Sequence, residues 1–251
     1  MNLSFTERKE IILGVLMQDN SVAVSDLSRR LNVTPVTVRA DLVALENEGL
    51  LVRTHGGALP GHHPKILARM LAGSEFKEGI AKAAAAMIED GDSVIISAGT
   101  TTALIAKYLL GKRDVHIVTN NTLLLAHARA NTQLRVTFIG GEFRSAEEGF
   151  VGPMALEALD QFHVSKAFIG IDGASVKQGF TAHFLDSAVL VHKMAGQADK
   201  VIAIGHSGKF GKHGFARILP FGGVDVLVTD KNLSEAFETE LTGAGVHVVK
   251  S

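Results

Sequence analysis

The 251-residue chain is long enough for one small and one full-sized domain, and its 46% apolar content supports a large core. It has no cysteine, which excludes disulfide scaffolds, thiolate metal sites and cysteine nucleophiles. No apolar run approaches the ~18 residues of a membrane span and no signal-like run opens the chain, so we expect a cytoplasmic protein with no membrane partner.

Three short helical patterns open the sequence. Their apolar positions are Ile11, Ile12, Val15 and Leu16 in the first, Val24, Leu27 and Leu31 in the second, and Val38, Leu42 and Leu45 in the third. Thr34 is placed to cap the third helix, with Pro35 at its first position. Because the break at Asn32-Val33 is so short, the second and third helices must cross steeply. This predicts a helix-turn-helix over residues 23–42.

The outward face of the third helix fits a DNA major groove. If Val38, Leu42 and Leu45 point inward, the outward positions are Val36, Arg39, Ala40 and Val43, with Thr37 on the flank. This face is small and carries one long bidentate donor, Arg39. Thr34 and Thr37 are placed to contact phosphates at the helix start.

Residues 50–58 predict a short hairpin, which would form a wing carrying Arg53 and His55 beside the third helix. The candidate DNA contacts are therefore Thr34, Val36, Thr37, Arg39, Ala40, Arg53 and His55. Charge does not decide the matter, because the net charge is −1 and residues 1–60 hold more acids than bases. The bases are Arg8, Lys9, Arg29, Arg30, Arg39 and Arg53, and the acids are Glu7, Glu10, Asp19, Asp26, Asp41, Glu46 and Glu48. A three-helix protein-interaction module with a solvated arginine remains the alternative.

The sequence changes character near residue 59, where prolines and glycine over residues 59–64 suit a linker. We expect a DNA-binding domain over 1–58, a linker over 59–74 and an α/β domain over 75–251. Strand-like runs alternate with helical segments in the last of these. The strands are expected at 93–97, 115–119, 134–139, 166–171, 201–204 and 224–228, and helices at 76–88, 102–110, 123–130 and 185–195. This alternation predicts a mainly parallel sheet with helices on both faces.

Ligands of such a sheet bind at the carboxyl ends of its strands. The first strand ends in Ser97-Ala98-Gly99-Thr100-Thr101, whose backbone amides could hold a phosphate or whose threonines could simply cap a helix. Polar residues follow the other strands, among them Asn120, Gly141, Arg144, Asp172 and Lys209. Together they suit a small, anionic, polyhydroxylated ligand, with Asp172 accepting from hydroxyls and Lys209 offsetting phosphate charge.

The eleven histidines predict no metal site. His62 and His63 lie in the expected linker, and no other two show the i, i+4 spacing of a helical metal pair. The sequence also lacks a Walker loop, a GxSxG elbow and a GxGxxG fingerprint. We therefore expect no metal, no cofactor and no catalytic residue.

The chain resembles the DeoR-type sugar-operon regulators over nearly its whole length. The resemblance rests on 37–42 (TVRADL) and 48–58 (EGLLVRTHGGA), then Arg69 and Lys77, and motifs that follow in the family's order. Those motifs are 97–101 (SAGTT), 119–120 (TN), 140–141 (GG), Gly152, 172–173 (DG) and 209–211 (KFG). Two departures are Ala40, where the recognition helix usually has a second arginine, and Gly205-His206, which replace an acid.

The resemblance implies a winged helix-turn-helix head and a Rossmann-like sensor domain similar to ribose-5-phosphate isomerase and glucosamine-6-phosphate deaminase. It implies a repressor of a carbohydrate-catabolism operon that a phosphorylated sugar relieves. Lys77 joins the effector candidates on this basis, beside Ser97, Gly99, Thr100, Thr101, Asn120, Gly141, Arg144, Asp172 and Lys209.

The alternative function is a sugar-phosphate isomerase or deaminase with an accessory head. Its base would be Asp172, Glu147 or Glu148, but no paired acid and base stand out in the sequence. The regulator hypothesis expects an operator of double-stranded DNA and a homo-oligomer, either a dimer or a tetramer. The sequence does not separate a repressor from an activator.

Overall fold

The computed structural model describes residues 3–251; Met1 and Asn2, the first residues of the head expected over 1–58, lie outside them. The chain divides into two units, one ending at Ala72 and one running from Gly73 to Ser251. Over the described residues, no helix combines the length and hydropathy needed to cross a membrane.

The N-terminal unit is built from four helices and a small sheet. In chain order its elements are α1 (Phe5–Asp19), β1 (Val22–Ala23), α2 (Val24–Leu31), α3 (Pro35–Asn47), β2 (Leu51–Arg53), β3 (Gly57–Pro60) and α4 (Pro64–Leu71). The hydroxyl of Thr34 accepts a hydrogen bond from the Thr37 amide and Pro35 is the first residue of α3, as predicted. Fully buried leucines of α1, α2 and α3 form one core, so the helix-turn-helix packs as a unit.

The hairpin expected over residues 50–58 is present as the antiparallel pair β2 and β3. The other edge of β3 pairs with β1, which gives a three-stranded sheet in the order β1-β3-β2. At Gly57 a side chain has no room, because a Cβ atom there would lie 1.9 Å from the carbonyl oxygen of Val22. Glycine at this position therefore lets the hairpin approach β1 closely.

The segment 59–74, expected to be a linker, differs from that expectation. Its first residues complete β3, and Pro64–Leu71 forms α4, whose Leu67 is fully buried in the core of the N-terminal unit. The prolines misled the prediction, since Pro64 stands at the first position of a helix, where proline is well tolerated.

The second unit alternates strands with helices. Its first elements are α5 (Ser74–Ala85), β4 (Ser93–Ile96), α6 (Thr100–Ala103), β5 (His116–Thr119), α7 (Leu124–Ala128), β6 (Arg135–Phe138), β7 (Glu142–Arg144), β8 (Gly149–Val151) and α8 (Pro153–Leu159). Then follow β9 (Val164–Gly170), β10 (Gly173–Ser175), β11 (Gly179–Ala182), α9 (Leu185–Gly196), β12 (Ala198–Ile204), β13 (Ala216–Leu219), β14 (Val226–Thr229), α10 (Glu235–Gly243) and β15 (His247–Lys250).

Seven parallel strands form the main sheet in the order β15-β14-β12-β9-β4-β5-β6. Alternate residues of each strand enter two separate cores: Ile95 belongs to one, and Val94 and Ile96 to the other. Both faces are therefore covered, as predicted for a parallel sheet. The strand order reverses between β4 and β9, so the crevice expected to bind ligands lies at their carboxyl ends.

Candidate DNA-binding and effector sites

The faces of α3 are oriented as the periodicity predicts. Val38, Leu42 and Leu45 are buried, whereas Val36 is 72% exposed and Arg39 and Ala40 are also exposed. The outward face is thus free of bulky charged side chains other than Arg39, which suits entry into a major groove.

Arg39 differs from the other basic side chains of residues 1–60. Within the described residues it makes no hydrogen bond or ion pair, while the other five each pair with an acid. Those five are Arg8, Lys9, Arg29, Arg30 and Arg53. The acids of residues 1–60 therefore neutralise the other five bases and leave the Arg39 guanidinium, on the outward face of α3, without a counter-charge.

The partner of Arg8 is a residue of α3 that the sequence did not single out. Asp41 is 5% exposed and accepts from Nε and Nη2 of Arg8 at 2.6 and 2.8 Å. This bidentate hydrogen bond raises the pKa of Arg8 above its usual value. The pair ties α3 to α1, so it fixes the helix that carries Arg39.

The wing is joined to α3 in a similar way. The Arg53 amide and its Nε donate to the two carboxylate oxygens of Glu46, at 2.9 and 2.6 Å. These hydrogen bonds lower the pKa of Glu46. His55 is exposed in the turn between β2 and β3. The Nε atom of Arg53 therefore helps to orient the wing. Contact between Arg53 and DNA stays a prediction.

The turn after β4 is built by its neighbours in the sheet. The Gly170 amide at the end of β9 donates to the Ser97 hydroxyl at 2.8 Å, and the Ala98 amide donates to Oδ1 of Asn120 at 2.8 Å. Asn121 donates to the carbonyl of Gly99 at 3.0 Å. In the described chain no group accepts from the amides of Thr100 and Thr101, which open α6. The turn is held rigidly with these donors unused.

Lys209 extends over the same strand end from the other side. It closes a single-turn 3-10 helix after β12, Ser207–Lys209, and its Nζ donates to the carbonyl oxygen of Ile171 at 2.5 Å. Ile171 follows Gly170 directly, so Lys209 and Ser97 contact consecutive residues at the end of β9. The lysine and the turn after β4 therefore meet at the point where the strand order reverses.

His206 precedes this turn and packs against α5. A Cβ atom on Gly73 would lie 2.9 Å from the imidazole ring, and Lys77 stands one helical turn after Gly73 on the same face. Lys77 is 5% exposed. Burial lowers the pKa of His206, and the charges of Lys209 and Lys77 lower it further against the opposing charge of Asp230. Lys77 and Lys209 are 132 positions apart in the sequence, yet both act on His206. Together they make this region at the strand ends cationic.

The lowered pKa of His206 predicts an acid-sensitive second unit. Because the unfolded chain takes up this proton more readily than the native chain, the free energy of unfolding falls as pH drops below about 6.5. We expect the melting temperature measured by circular dichroism to fall between pH 7 and 5.5, and His206→Gln to reduce that fall. His213→Gln, a control at an exposed position, should leave it unchanged. An unaltered pH profile in His206→Gln would contradict this assignment.

A hairpin of β7 and β8 folds over the carboxyl ends of β4 and β5. A Cβ atom on Gly149 would lie 2.8 Å from the Cβ of Ala98, and the Phe150 amide donates to the Asn120 carbonyl at 3.0 Å. At its tip, Glu147 is 6% exposed and accepts from the Ser187 hydroxyl at 2.5 Å. The hairpin therefore packs against the turn after β4 through Gly149 and against α9 through Glu147.

Three further effector candidates are used within the protein. Arg144 donates to Asp186 at 2.5 Å and lies 5.2 Å from the ring centre of Phe184. Asp172 accepts from the His183 amide at 2.9 Å. At Gly141 the backbone passes close to that of Val151, since a Cβ atom there would lie 2.5 Å from the Val151 carbonyl oxygen.

Metal sites and open grooves are the other places where a ligand could bind. Among the residues that the structure describes, no three or more metal-ligating side chains (His, Cys, Asp or Glu) form a group able to hold a metal ion. An open groove of about 590 Å³ runs along α10 and is lined by Glu235, Glu238, Thr239, Thr242 and Gly243. Its acidic lining does not suit an anionic ligand.

Comparison with known proteins identifies both units. The family described as the DeoR-like helix-turn-helix domain matches residues 8–61, and that described as the DeoR C terminal sensor domain matches residues 73–231. The chain belongs to the DeoR family. The prediction of a DNA-binding transcriptional regulator is confirmed, and the protein-interaction module and the isomerase are set aside.

Relatives of this DeoR-family chain match it nearly end to end. The HTH-type transcriptional repressor GlcR of Bacillus subtilis (strain 168) is 34% identical over 97% of this chain and 95% of its own. The lactose phosphotransferase system repressor of Streptococcus mutans serotype c is 30% identical over 89% of this chain and 91% of its own. A ribose 5-phosphate isomerase of Methanocaldococcus jannaschii is similar over 53% of each chain, with 15% identity and a TM-score of 0.38.

Two effector candidates of the DeoR sensor domain are hydrogen-bonded within the protein. Ser97 is fully buried and Asn120 is 3% exposed, and the polar atoms of both are bonded to the backbone of neighbouring loops. Both side chains therefore hold the loops at the strand ends in place, and their contact with a ligand stays a prediction. Conversely, sequence reasoning left out His206 as a ligand-site neighbour and considered Glu147 only as an enzymatic base.

Proposed function

We propose that this DeoR-family chain represses carbohydrate genes and is released from DNA by a sugar phosphate bound at the carboxyl ends of β4, β9 and β12. The proposal rests chiefly on one observation. The turn after β4 and the ammonium of Lys209 contact consecutive residues at the end of β9: the Gly170 amide donates to the Ser97 hydroxyl, and Lys209 donates to the carbonyl oxygen of Ile171.

The chemistry of this crevice suits a phosphate ester. The amides of Thr100 and Thr101 supply donors at a helix start, where a negative charge is favoured. Lys209 and the buried Lys77 supply positive charge, and β4 and β12 flank β9, so their ends are only about 10 Å apart. A phosphate dianion between them would offset charges that otherwise repel one another.

The DNA side of the proposal uses α3 and the wing. Arg39 would read a base edge, while Thr34, Thr37 and the wing would contact the backbone. We propose a cytoplasmic dimer or tetramer, because a helix-turn-helix head reads half-sites about one helical turn apart. Binding of the effector would then weaken binding of the operator, and the reverse, with a coupling free energy of ~1–3 kcal/mol.

Lys209→Met tests the effector site while keeping most of the side-chain volume. We expect wild-type protein to gain thermal stability with inorganic phosphate and more with a panel of sugar phosphates, and Lys209→Met to lose both gains. A matched control is Lys200→Met, at an exposed position early in β12. Retained stabilisation in Lys209→Met, measured by scanning fluorimetry, would place the phosphate elsewhere.

A further inference from the structure

The fold places the imidazole of His206 at the carboxyl edge of the main sheet. His206 follows Ile204, the last residue of β12, by two positions, and its carbonyl oxygen accepts from the Lys209 amide at 3.1 Å. The ring lies between two glycines, since a Cβ atom would be 2.9 Å from it on Gly73 and 3.0 Å from it on Gly208. The absence of side chains at both positions therefore leaves room for the ring.

The charges around this ring are mostly positive. Four charged groups act on it from the loop that it opens, from α5 and from the end of β14: Lys209, Lys212, Lys77 and Asp230. The carboxylate of Asp230 also accepts from the amides of Ser207 and Asn232, at 2.6 and 3.0 Å. Burial, together with the excess of lysines, lowers the pKa of His206 and keeps its ring neutral near pH 7.

The ring shares its side of the sheet with the open turn after β4. Within residues 3–251, the half-buried imidazole of His206 makes no hydrogen bond or ion pair. It packs against the start of α5, and α5 packs against α6, whose first amides have no acceptor in the described chain. Both helices contribute to the same core, through Ile80 and Ala103. The imidazole and the amides of α6 therefore lie at the same edge and on the same face of the sheet.

We infer that His206 is a ligand of the effector's phosphate and binds it in the protonated form, so that effector binding takes up a proton. This inference rests on the proposed function and deepens it. A phosphate dianion beside the lysines would offset the local excess of positive charge, which stabilises an imidazolium and gives its N–H a charged acceptor. The protein would therefore respond to the sugar phosphate and to acidity together, and release from DNA would become more complete as pH falls.

The direction of the pH effect follows from the two states of His206. In the free protein its pKa lies below 6.5, and a bound dianion raises that pKa. Well above both values neither state carries the proton, and affinity for the anion is at its lower limit. As pH falls through the pKa of the complex, affinity rises, and it levels off once the free protein is protonated as well.

Calorimetric titration of the full chain with sulfate tests the inference. Sulfate stays a dianion between pH 7.5 and 5.5, whereas phosphate esters change charge near pH 6. Wild-type affinity for sulfate should rise about 10-fold over this range, the change that accompanies a pKa raised by about 1. The affinity of His206→Gln should change by less than about twofold. In buffers of different ionisation enthalpy, wild-type protein should take up protons on binding at pH 6.5, and His206→Gln should take up none.

A second histidine of the same loop provides the matched control. His213 is exposed, and His213→Gln should keep the wild-type pH dependence. Circular dichroism checks the fold of each variant at each pH, and His206→Asn takes the place of His206→Gln if the latter does not fold.

The outcomes separate this inference from the proposed function. The inference is overturned if the variant at His206 keeps the pH dependence or the proton uptake. It is also overturned if wild-type protein binds inorganic phosphate at pH 7.5 but gains no affinity for sulfate at pH 5.5. If wild-type protein binds neither anion at any pH in this range, the proposed function fails first, and this inference falls with it.

Discussion

Replacing Arg39 with alanine should lower affinity for the operator by about two orders of magnitude and leave the fold intact. The guanidinium is the unpaired charge on the outward face of α3, and a bidentate contact with a base contributes ~1–3 kcal/mol in each head of an oligomer. Because Arg39 has no hydrogen-bond or ion-pair partner within the described residues, its removal breaks no intramolecular polar contact. The effect would therefore appear in binding and not in stability.

The measurement is fluorescence anisotropy on a DNA duplex that the wild-type protein has selected from a random pool. With this selection step, the operator sequence need not be known in advance. Arg29→Ala provides the matched control, because Arg29 is also an exposed arginine of the head but pairs with Asp26 on α2. We expect less than a threefold change for the control. Equal losses in both variants would show that charge, not the position of Arg39, governs binding.

The sequence predicted the elements whose patterns are local. The apolar spacing of α3 and the proline at its start defined the recognition helix, and the faces of that helix are those expected. Six of the seven strands of the central sheet are short apolar runs that were predicted to within a few residues of their ends. These features depend on side chains close together in the chain, so their signal is strong.

What the sequence missed depends on contacts between distant residues. Asp41 reads as a solvated acid on a helix, yet Arg8, 33 positions away, makes it a buried partner. Ser97 and Asn120 were assigned to the ligand because hydroxyls and amides at strand ends often bind ligands, but here the backbone uses them. The strand β15 and the short strands β10, β11 and β13 were not predicted from the sequence.

The effector site likewise combines residues that a local pattern predicts with contacts between residues distant in the sequence. Lys209 was predicted from its position after a strand, and Lys77 only from the family resemblance, since a lysine on a helix is ordinarily exposed. The packing of His206 against Gly73 links the two, and no local pattern contains it. To predict this contact from the sequence, one would have to pair a glycine at the start of a helix with a histidine some 130 residues later.

Replacing Asp41 with alanine should lower the free energy of unfolding of the N-terminal unit by roughly 3 kcal/mol. The change leaves the Arg8 guanidinium, 14% exposed, without its counter-charge, and removing one partner of a buried pair costs about that much. Since Asp41 lies two residues after Arg39 on α3, the helix that reads DNA loses its tie to α1. Hydrogen exchange of α1 and α3 amides reports the change without interference from the second unit.

Two further variants separate the pair itself from the burial of charge. Asp26→Ala removes one partner of an exposed pair and should cost less than about 1 kcal/mol. Arg8→Met combined with Asp41→Leu removes both charges and should recover most of the stability, because the remaining apolar groups need no counter-charge. If the double variant is less stable than Asp41→Ala alone, the pair contributes attraction beyond its own desolvation. Recovered stability without recovered operator affinity would show that the pair serves to orient α3 on DNA.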